Sequence, residues 1–275
     1  MSVGNSIVWF NGEFVSGKIS LEAADRGLTL GDGLFETVAV INAKPVWLNE
    51  HVARMANAAQ ELGFGFDEAA LRSGVAAILK KSSDAQEVLR ITLTRGVVPG
   101  RALAGAGPDP RLLMTLAKFD APTAGTITLA TSPIRRNETA PSSRHKTLSY
   151  IDAIAAAREV AGLADDALML NTKGHVASTT IGNLFVLKGQ DLLTPAADQG
   201  ILSGITRAKL LHHASSLGLR AREAMLSVDD LHAADAVFRT NSLRVVTQVT
   251  MLDGKALRQG PVQFIRDGLV SHQEE

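Results

Sequence analysis

The segment Arg144-His-Lys-Thr-Leu-Ser-Tyr150 is the stretch from which the fold of this chain is best inferred. It places Lys146 just before an Ala-rich helix that the apolar spacing predicts over residues 148–161. A lysine is usually a solvated surface charge, but neighbouring cations disfavour a further positive charge, so a neutral, nucleophilic amine becomes accessible. Two interpretations stay open: an amine that forms a Schiff base with a carbonyl group, and a basic cluster that only binds anions.

A second segment, Leu202-Ser-Gly-Ile-Thr-Arg207, forms a turn before a helix predicted over residues 204–217. The backbone N–H groups of Ile205 and Thr206 would lie at the helix N-terminus, where unpaired donors and the helix dipole favour a phosphate. Most such turns are ordinary helix caps, so the turn alone is weak evidence. A nucleophilic lysine together with a phosphate-binding turn nevertheless indicates pyridoxal phosphate as the cofactor.

Two further segments can contribute to the same phosphate site. Arg54 lies on a helix predicted from Asn49 to Leu62, and its guanidinium suits a bidentate phosphate contact. Thr240-Asn-Ser242 follows a short predicted strand and offers three hydrogen-bonding side chains in a row. The alternatives are a surface arginine on an amphipathic helix and a plain turn.

The composition describes a neutral, globular chain without cysteine. Its 275 residues predict two packed domains. The 28 Lys and Arg residues balance the 28 Asp and Glu residues, so nothing electrostatic favours a nucleic acid or a membrane surface, and we expect small-molecule partners. The absence of cysteine excludes disulfides and thiolate metal sites. No signal-like segment or long apolar run occurs, which predicts a cytoplasmic protein.

Other cofactor and metal chemistries lack support in the sequence. No Gly-x-Gly-x-x-Gly, Walker or His-Glu-x-x-His pattern occurs, so dinucleotide, nucleotide and zinc-protease functions are not indicated. The seven histidines are scattered without metal-ligand spacing, and we predict no metal site. The absence of Gly-x-Ser-x-Gly also argues against a serine hydrolase.

Alternating and helical patterns predict an α/β chain of the α+β type. A small N-terminal α/β domain over residues 1–120, a linker at 121–125 and a larger mixed α/β domain over 126–275 are expected. The predicted strands are Ile7–Phe10, Glu13–Val15, Leu34–Ile41, Pro45–Leu48, Glu87–Thr94, Arg111–Ala117, Thr126–Ala130, Asp166–Asn171, Asn183–Lys188, Ala236–Thr240 and Val245–Leu252. The remaining predicted helix covers Asp67–Lys80.

Taken together, these segments resemble the class IV aminotransferases, pyridoxal-phosphate enzymes of fold type IV. The resemblance runs nearly end to end and includes Asp25-Arg-Gly-Leu-Thr-Leu-Gly-Asp-Gly-Leu-Phe-Glu36, which is similar to the family signature in the form of its D-amino acid and lyase branches. It implies a two-domain homodimer with Lys146 as the Schiff-base lysine and Arg54 on the phosphate. It further implies that Leu202 packs on the cofactor ring, and that the phosphate is held by Ile205, Thr206, Ser242 and Asn241.

One position departs from the family pattern. Where the family has Gly-x-Val-x-Glu, this chain has Gly174-His-Val-Ala-Ser178. The family glutamate pairs with the protonated pyridine nitrogen and keeps the ring an electron sink. Ser178 can hydrogen-bond to a neutral pyridine but cannot hold its proton electrostatically, so we expect a less protonated ring and slower transamination, or a reaction that needs less carbanion stabilisation.

For the substrate, Thr94-Arg-Gly-Val-Val-Pro-Gly-Arg101 resembles the loop that carries a carboxylate-binding arginine, here Arg101. Phe35 stands where relatives often have tyrosine, and Glu36 is expected to line the pocket. The resemblance implies a D-amino acid type aminotransferase that moves an amino group to a 2-oxo acid, with R-amines as further donors. The alternatives are an aminodeoxychorismate lyase-like enzyme that releases pyruvate and 4-aminobenzoate, and a non-catalytic pyridoxal phosphate-binding protein.

Overall fold

The computed structural model describes residues 6–100, 103–105, 109–119 and 125–273. These residues form two compact units. The first unit contains the described residues up to 119 together with Lys146–Ser149, and the second contains residues 125–145 and 150–273. The domain boundaries expected from the sequence stay a prediction, since only Gly125 of the linker is described. No described helix combines the length and the apolar character that a membrane span requires.

The first unit is an antiparallel sheet with helices packed against it. Its sheet has the order β2-β1-β6-β5-β3-β4 among the described residues. The strands are β1 (Ile7–Phe10), β2 (Glu13–Val15), β3 (Gly33–Ile41), β4 (Lys44–Pro45), β5 (Gln86–Thr94) and β6 (Arg111–Lys118). The helices are α1 (Arg26–Leu30), α2 (Leu48–Leu62) and α3 (Glu68–Leu79).

The alternation of the sequence decides which face of this sheet is buried. Asn11 and Gly12 adopt positive φ values of 44° and 100°, which closes the predicted hairpin between β1 and β2. On β3 and β5 every second residue points to the helices, so α2 and α3 cover one face. The core beneath them includes Leu34, Val38, Val40, Val52, Met55, Leu71, Ile78, Leu89, Ile91, Leu93, Met114 and Leu116.

The predictions around the start of α2 are partly wrong. Only Pro45 of the strand predicted at Pro45–Leu48 is in a strand, and Asn49 does not cap the helix. Trp47 takes the left-handed conformation with φ 50° and is the N-cap, so the helix begins one residue before Asn49. The predicted cap at the start of α3 is confirmed, because the Asp67 carboxylate accepts a hydrogen bond from the Ala70 N–H at 2.9 Å.

The second unit is built on a larger mixed sheet. Its strand order among the described residues is β12-β11-β10-β13-β14-β7-β8-β9, with β15 on β14 and a further pairing of β9 with β10. The strands are β7 (Thr126–Thr131), β8 (Asp166–Leu170), β9 (Val176–Thr179), β10 (Asn183–Lys188), β11 (Asp191–Pro195), β12 (Arg220–Ala224), β13 (Ala236–Asn241), β14 (Val245–Leu252) and β15 (Lys255–Ala256). The helices are α4 (Pro141–Arg144), α5 (Ile151–Glu159), α6 (Ile205–His213), α7 (Val228–Ala233) and α8 (Gln263–Ser271), with short 3-10 turns at Ala197–Gln199 and Ala214–Leu217.

The helix predicted over residues 148–161 begins later than expected, at Ile151. The preceding residues are extended, because Thr147 bridges to Leu34 and the Leu148 N–H donates to the Gly33 carbonyl at 2.9 Å. Backbone groups that pair with β3 cannot also form the first turn of a helix. Lys146 therefore lies in an extended strap of the first unit and not at the mouth of α5.

Candidate functional site

The acidic residues of the Asp25–Glu36 segment organise the turn that leads into β3. Asp25 is fully buried, and its carboxylate accepts hydrogen bonds from the Gly27 N–H at 2.7 Å and the Thr94 hydroxyl at 2.7 Å. This carboxylate caps the short helix α1 and ties it to the end of β5. The first residue of the signature is thus explained by local structure, without a direct role in catalysis.

Asp32 ties the same turn to helix α2. Its carboxylate accepts from Arg26 Nε at 2.7 Å and Arg95 Nε at 2.8 Å. Arg95 also donates to the backbone carbonyls of Leu62 and Gly63 at the end of α2. Burial alone would raise the pKa of Asp32, but the two guanidinium groups outweigh it and lower that pKa. The charge pairs therefore hold the loop before β3 in one position.

Lys146 is fixed beside the first residues of β3. The Phe35 N–H donates to the Lys146 carbonyl at 2.9 Å, and the Leu148 N–H donates to the Gly33 carbonyl at 2.9 Å. Gly33 permits this close approach, since a Cβ there would lie 2.5 Å from Leu148 Cδ1. The half-buried Lys146 places its Nζ 4.2 Å from the centre of the Phe35 ring. The amine is therefore held by paired backbone against an aromatic wall.

A second cation contacts the same aromatic ring. The Arg90 guanidinium carbon lies 3.8 Å from the centre of the Phe35 ring. Arg90 is on β5, where its neighbours Leu89 and Ile91 point into the core, so its side chain is on the other face of the sheet. Sequence analysis missed Arg90, although an arginine between buried strand residues was a usable signal. Arg101, predicted for the substrate carboxylate, lies outside the described residues.

Glu36, His51 and Arg54 form a buried charged network. Arg54 donates to both oxygens of the Glu36 carboxylate, at 2.8 and 2.6 Å, and His51 Nδ1 lies 2.7 Å from the same group. Burial would raise the pKa of Glu36, but Arg54 and His51 lower it to about 2. The structure thus pairs the residue predicted for the phosphate with one predicted for the substrate pocket.

His51 in this network is a neutral imidazole with one unused nitrogen. Burial lowers its pKa, against the opposing effect of Glu36, and the charges of Arg54 and Lys146 lower it further. The neutral ring donates its Nδ1–H to Glu36, which leaves Nε2 as a buried acceptor that finds no hydrogen-bond partner among the described residues.

In the second unit, the Leu202–Thr206 turn has the features of an anion site. Helix α6 begins at Ile205 after Gly204, and no side chain caps its first N–H groups. The Asn183 amide donates to the Leu202 carbonyl at 2.8 Å and lies so close to Gly204 that a Cβ would collide with it. Thr206 is 1% exposed, and its Oγ1 has no hydrogen-bond partner among the described residues. An unpaired buried hydroxyl beside uncapped helix donors fits a phosphate.

The Thr240-Asn-Ser242 segment contributes differently from the prediction. The Asn241 side-chain oxygen accepts from the N–H groups of Leu243 and Arg244 at 3.2 and 2.9 Å, so it stabilises the turn after β13. Ser242 is half-buried in that turn. Thr240 is 1% exposed, and its Oγ1 is another buried hydroxyl without a partner among the described residues. Thr240 therefore joins Thr206 as a group whose hydrogen bonding a phosphate would complete.

Ser178 lies on β9 with a cation as its neighbour. The residue is 3% exposed and pairs with Met169 on β8 and with Asn183 on β10. Arg136 Nε donates to Ser178 Oγ at 3.2 Å. Sequence analysis predicted neither β9 nor this arginine. Within the described part of the chain, no cluster of three His, Asp or Glu side chains is arranged to bind a metal ion.

Comparison with known proteins identifies the family. Residues 33–252 match the model of amino-transferase class IV, and the chain belongs to this family. A D-alanine aminotransferase of Bacillus licheniformis is 28% identical over 271 residues, which are 92% of this chain and 90% of that protein. A Legionella pneumophila structure assigned as a 4-amino-4-deoxychorismate lyase is 31% identical with a TM-score of 0.86, and the match covers 93% of this chain and 96% of that one.

More distant structures agree in fold. The branched-chain aminotransferase of Thermoproteus uzoniensis, solved with norvaline, has a TM-score of 0.88 at 24% identity, and the match covers 97% of this chain and 94% of that one. The curated relatives are transaminases or a lyase that depend on pyridoxal phosphate, and structures of the family have been solved with pyridoxamine 5'-phosphate. The predicted family, the mixed α/β fold class of type IV, the enzyme class and the cofactor are therefore confirmed.

Proposed function

We propose that the protein is a pyridoxal-phosphate-dependent aminotransferase of the D-amino acid type, which moves an amino group from an amino acid to a 2-oxo acid. The observation that supports this most is the placement of Lys146, whose backbone is hydrogen-bonded to β3 and whose Nζ lies 4.2 Å from the Phe35 ring centre. A nucleophilic amine must be held in one place to attack a carbonyl group repeatedly, and this strap does so.

The residues present fit the cofactor. Lys146 Nζ would bind its aldehyde carbon, and the N–H groups of Ile205 and Thr206 with the hydroxyls of Thr206 and Thr240 would bind its phosphate. Leu202 would pack on the ring, and Arg54 would add its charge to the phosphate end. When bound, pyridoxal phosphate supplies an electron sink for negative charge at the substrate α-carbon. Lys146 Nζ takes the proton from that carbon and returns it, as general base and acid.

Arg90 supplies a cation for the substrate carboxylate. Its guanidinium and the Lys146 amine both lie about 4 Å from the centre of the Phe35 ring, so an amino acid held at Lys146 would have its carboxylate within reach of a fixed positive group. A planar guanidinium suits this task because it binds a carboxylate through two parallel N–H groups. Arg101 stays a proposal for the same role from the adjoining loop.

The experiment follows the visible absorption spectrum of the purified holoenzyme while D-alanine, L-alanine or R-phenylethylamine is added. Loss of the cofactor band with D-alanine, with release of one pyruvate per site, is the expected result. The Lys146→Ala variant should show no such change, whereas Lys173→Ala, whose lysine is 67% exposed, should behave as the wild type. An unchanged band with every donor and with aminodeoxychorismate would contradict the proposal and favour a non-catalytic binding protein.

A lyase of the aminodeoxychorismate type is the second candidate. It is favoured by Ser178 and its arginine neighbour, which replace the carboxylate that aminotransferases of this family place beside the ring nitrogen, and by the 31% identical Legionella pneumophila structure. Both reactions use Lys146, but they differ in stoichiometry. A lyase releases pyruvate and 4-aminobenzoate without consuming a 2-oxo acid, whereas an aminotransferase consumes one 2-oxo acid for each amino group moved.

We also propose that the protein acts as a homodimer. Large apolar side chains are exposed on α1 at Leu28 and Leu30, which are 65% and 53% exposed, and on α5 at Ile151, which is 70% exposed. Apolar groups of this size on a surface are typical of association sites. Sedimentation analysis at micromolar concentration should give twice the mass of the chain, and a monomer with full activity would contradict the proposal.

A further inference from the structure

The Ser178 hydroxyl is held in a defined orientation by a single donor. Ser178 is buried on β9 between strands β8 and β10, and its Oγ accepts the Arg136 Nε–H at 3.2 Å. A hydroxyl that accepts a hydrogen bond from one side keeps its own proton for donation to another group. The Ser178 O–H is therefore directed to act as a donor.

Arg136 is itself fixed by the backbone. Its N–H donates to the Leu170 carbonyl at 2.9 Å, and the residue bridges to Asn171 at the end of β8. Among the described residues Arg136 forms no ion pair, and the neighbouring groups that act on its charge are Tyr150 and Asp152. Burial lowers the pKa of Arg136 against these two groups, but a guanidinium stays protonated at neutral pH. The position thus holds an unneutralised positive charge next to Ser178.

The donor direction and the charge have the same consequence for a ring nitrogen beside Ser178. A neutral pyridine nitrogen accepts the Ser178 O–H, whereas a protonated one would present its own N–H to a donor and its positive charge to Arg136. Like charges at close range disfavour the protonated form. We propose that Arg136, acting through Ser178, is a positioning residue that keeps the pyridine nitrogen of the cofactor unprotonated. This inference rests on the proposed function, because it requires the cofactor to bind with its ring nitrogen at Ser178.

The proposal distinguishes this chain from relatives with a carboxylate at the Ser178 position. A carboxylate accepts a hydrogen bond from a protonated ring and stabilises its charge, while the Arg136–Ser178 pair reverses both effects. The ring would withdraw electrons less strongly, so removal of the α-proton would depend more on the base Lys146 and on the fixed substrate carboxylate. The charge and the hydrogen-bond direction can be tested separately, because lysine keeps the first and methionine removes both.

The test is nitrogen NMR of holoenzyme reconstituted with pyridoxal phosphate labelled with ¹⁵N in the ring. The wild type should give the shift of an unprotonated pyridine throughout the neutral range. Arg136→Met should move the shift toward that of pyridinium as the pH falls, and Arg136→Lys should stay close to the wild type. A pyridinium shift in the wild type, or an Arg136→Met variant that titrates like the wild type, would overturn the inference.

A second measurement needs no variant. The apoprotein should bind pyridoxal phosphate about tenfold more tightly than the isosteric analogue with C–H in place of the ring nitrogen, because that analogue leaves the Ser178 O–H without an acceptor. Equal affinity for the two would overturn the inference. A failure of pyridoxal phosphate to attach to Lys146, seen as a missing cofactor band, would overturn the proposed function instead. A bound cofactor with a pyridinium shift overturns only the role of Arg136.

Discussion

Replacing Glu36 with glutamine tests whether the buried network stabilises the first unit. Glu36 and His51 have side chains that are 2% and 1% exposed, and Arg54 is 17% exposed. The substitution keeps the shape of the side chain and removes its charge. It leaves the Arg54 guanidinium without its counter-charge in a largely buried position, which is the situation in which loss of one ionic partner costs most.

The magnitude follows from the pKa of Glu36. Its fall from 4.5 to about 2 on folding corresponds to about 3 kcal/mol of stability at neutral pH. Loss of one partner from a buried ion pair costs about 3–5 kcal/mol, which agrees. Because the folded-state pKa is the lower one, this contribution is fully present above pH 4.5 and is lost as the pH falls through about 2. We therefore expect Glu36→Gln to lose about 3 kcal/mol at pH 7 and less in strong acid.

Urea unfolding followed by tryptophan fluorescence measures this loss. Both tryptophans of the chain, Trp9 and Trp47, are buried in the first unit, so their emission reports its unfolding. The matched control is Glu68→Gln, which breaks the exposed pair with Arg72 and should cost no more than about 0.5 kcal/mol. A loss below about 1 kcal/mol for Glu36→Gln, or an equal loss for the control, would refute the reasoning.

Three further substitutions test other parts of the account. Thr206→Val replaces an unpaired buried hydroxyl, so the unfolding midpoint of the apoprotein should not fall while affinity for pyridoxal phosphate drops about tenfold, and unchanged affinity would contradict the phosphate site. Gly33→Ala brings a Cβ within 2.6 Å of the Leu93 carbonyl and should cost about 1–3 kcal/mol in the tryptophan assay, unlike Gly125→Ala, whose Cβ would meet nothing within 4 Å. Asp166→Asn breaks a pair with Arg239 in which both side chains are 4% exposed, and should cost about 3–5 kcal/mol in calorimetry, with a loss below about 1 kcal/mol as the contrary result.

Local patterns in the sequence were sufficient for much of the fold. The hairpin at Asn11 and Gly12, the cap at Asp67 and the strand Asn183–Lys188 follow from turn chemistry, capping and apolar runs that each lie within a few residues. Such signals are readable because the residues that form the contact are close in the chain. The Lys146 and Leu202–Thr206 segments were likewise recognised from short motifs.

The remainder depends on contacts between residues that are distant in the chain. The helix after Lys146 starts late because β3 pairs with Thr147 and Leu148, and no property of residues 147–150 indicates that strand. Arg136 and Ser178 are separated by 42 positions, and Arg90 meets Phe35 only because β3 and β5 are neighbours. The pairing of Arg54 with Glu36 likewise follows from the packing of α2 on β3.

The central claim is that Lys146 binds pyridoxal phosphate, and chemical mapping tests it most directly. Holoenzyme is reduced with borohydride, which makes the cofactor linkage permanent, and is then digested for mass spectrometry of the peptides. The account predicts a single pyridoxyl-modified peptide whose modified residue is Lys146, and no modified peptide from Lys146→Ala treated in parallel. Modification of another lysine with Lys146 left unmodified, or a reduced holoenzyme that carries no pyridoxyl group, would contradict it.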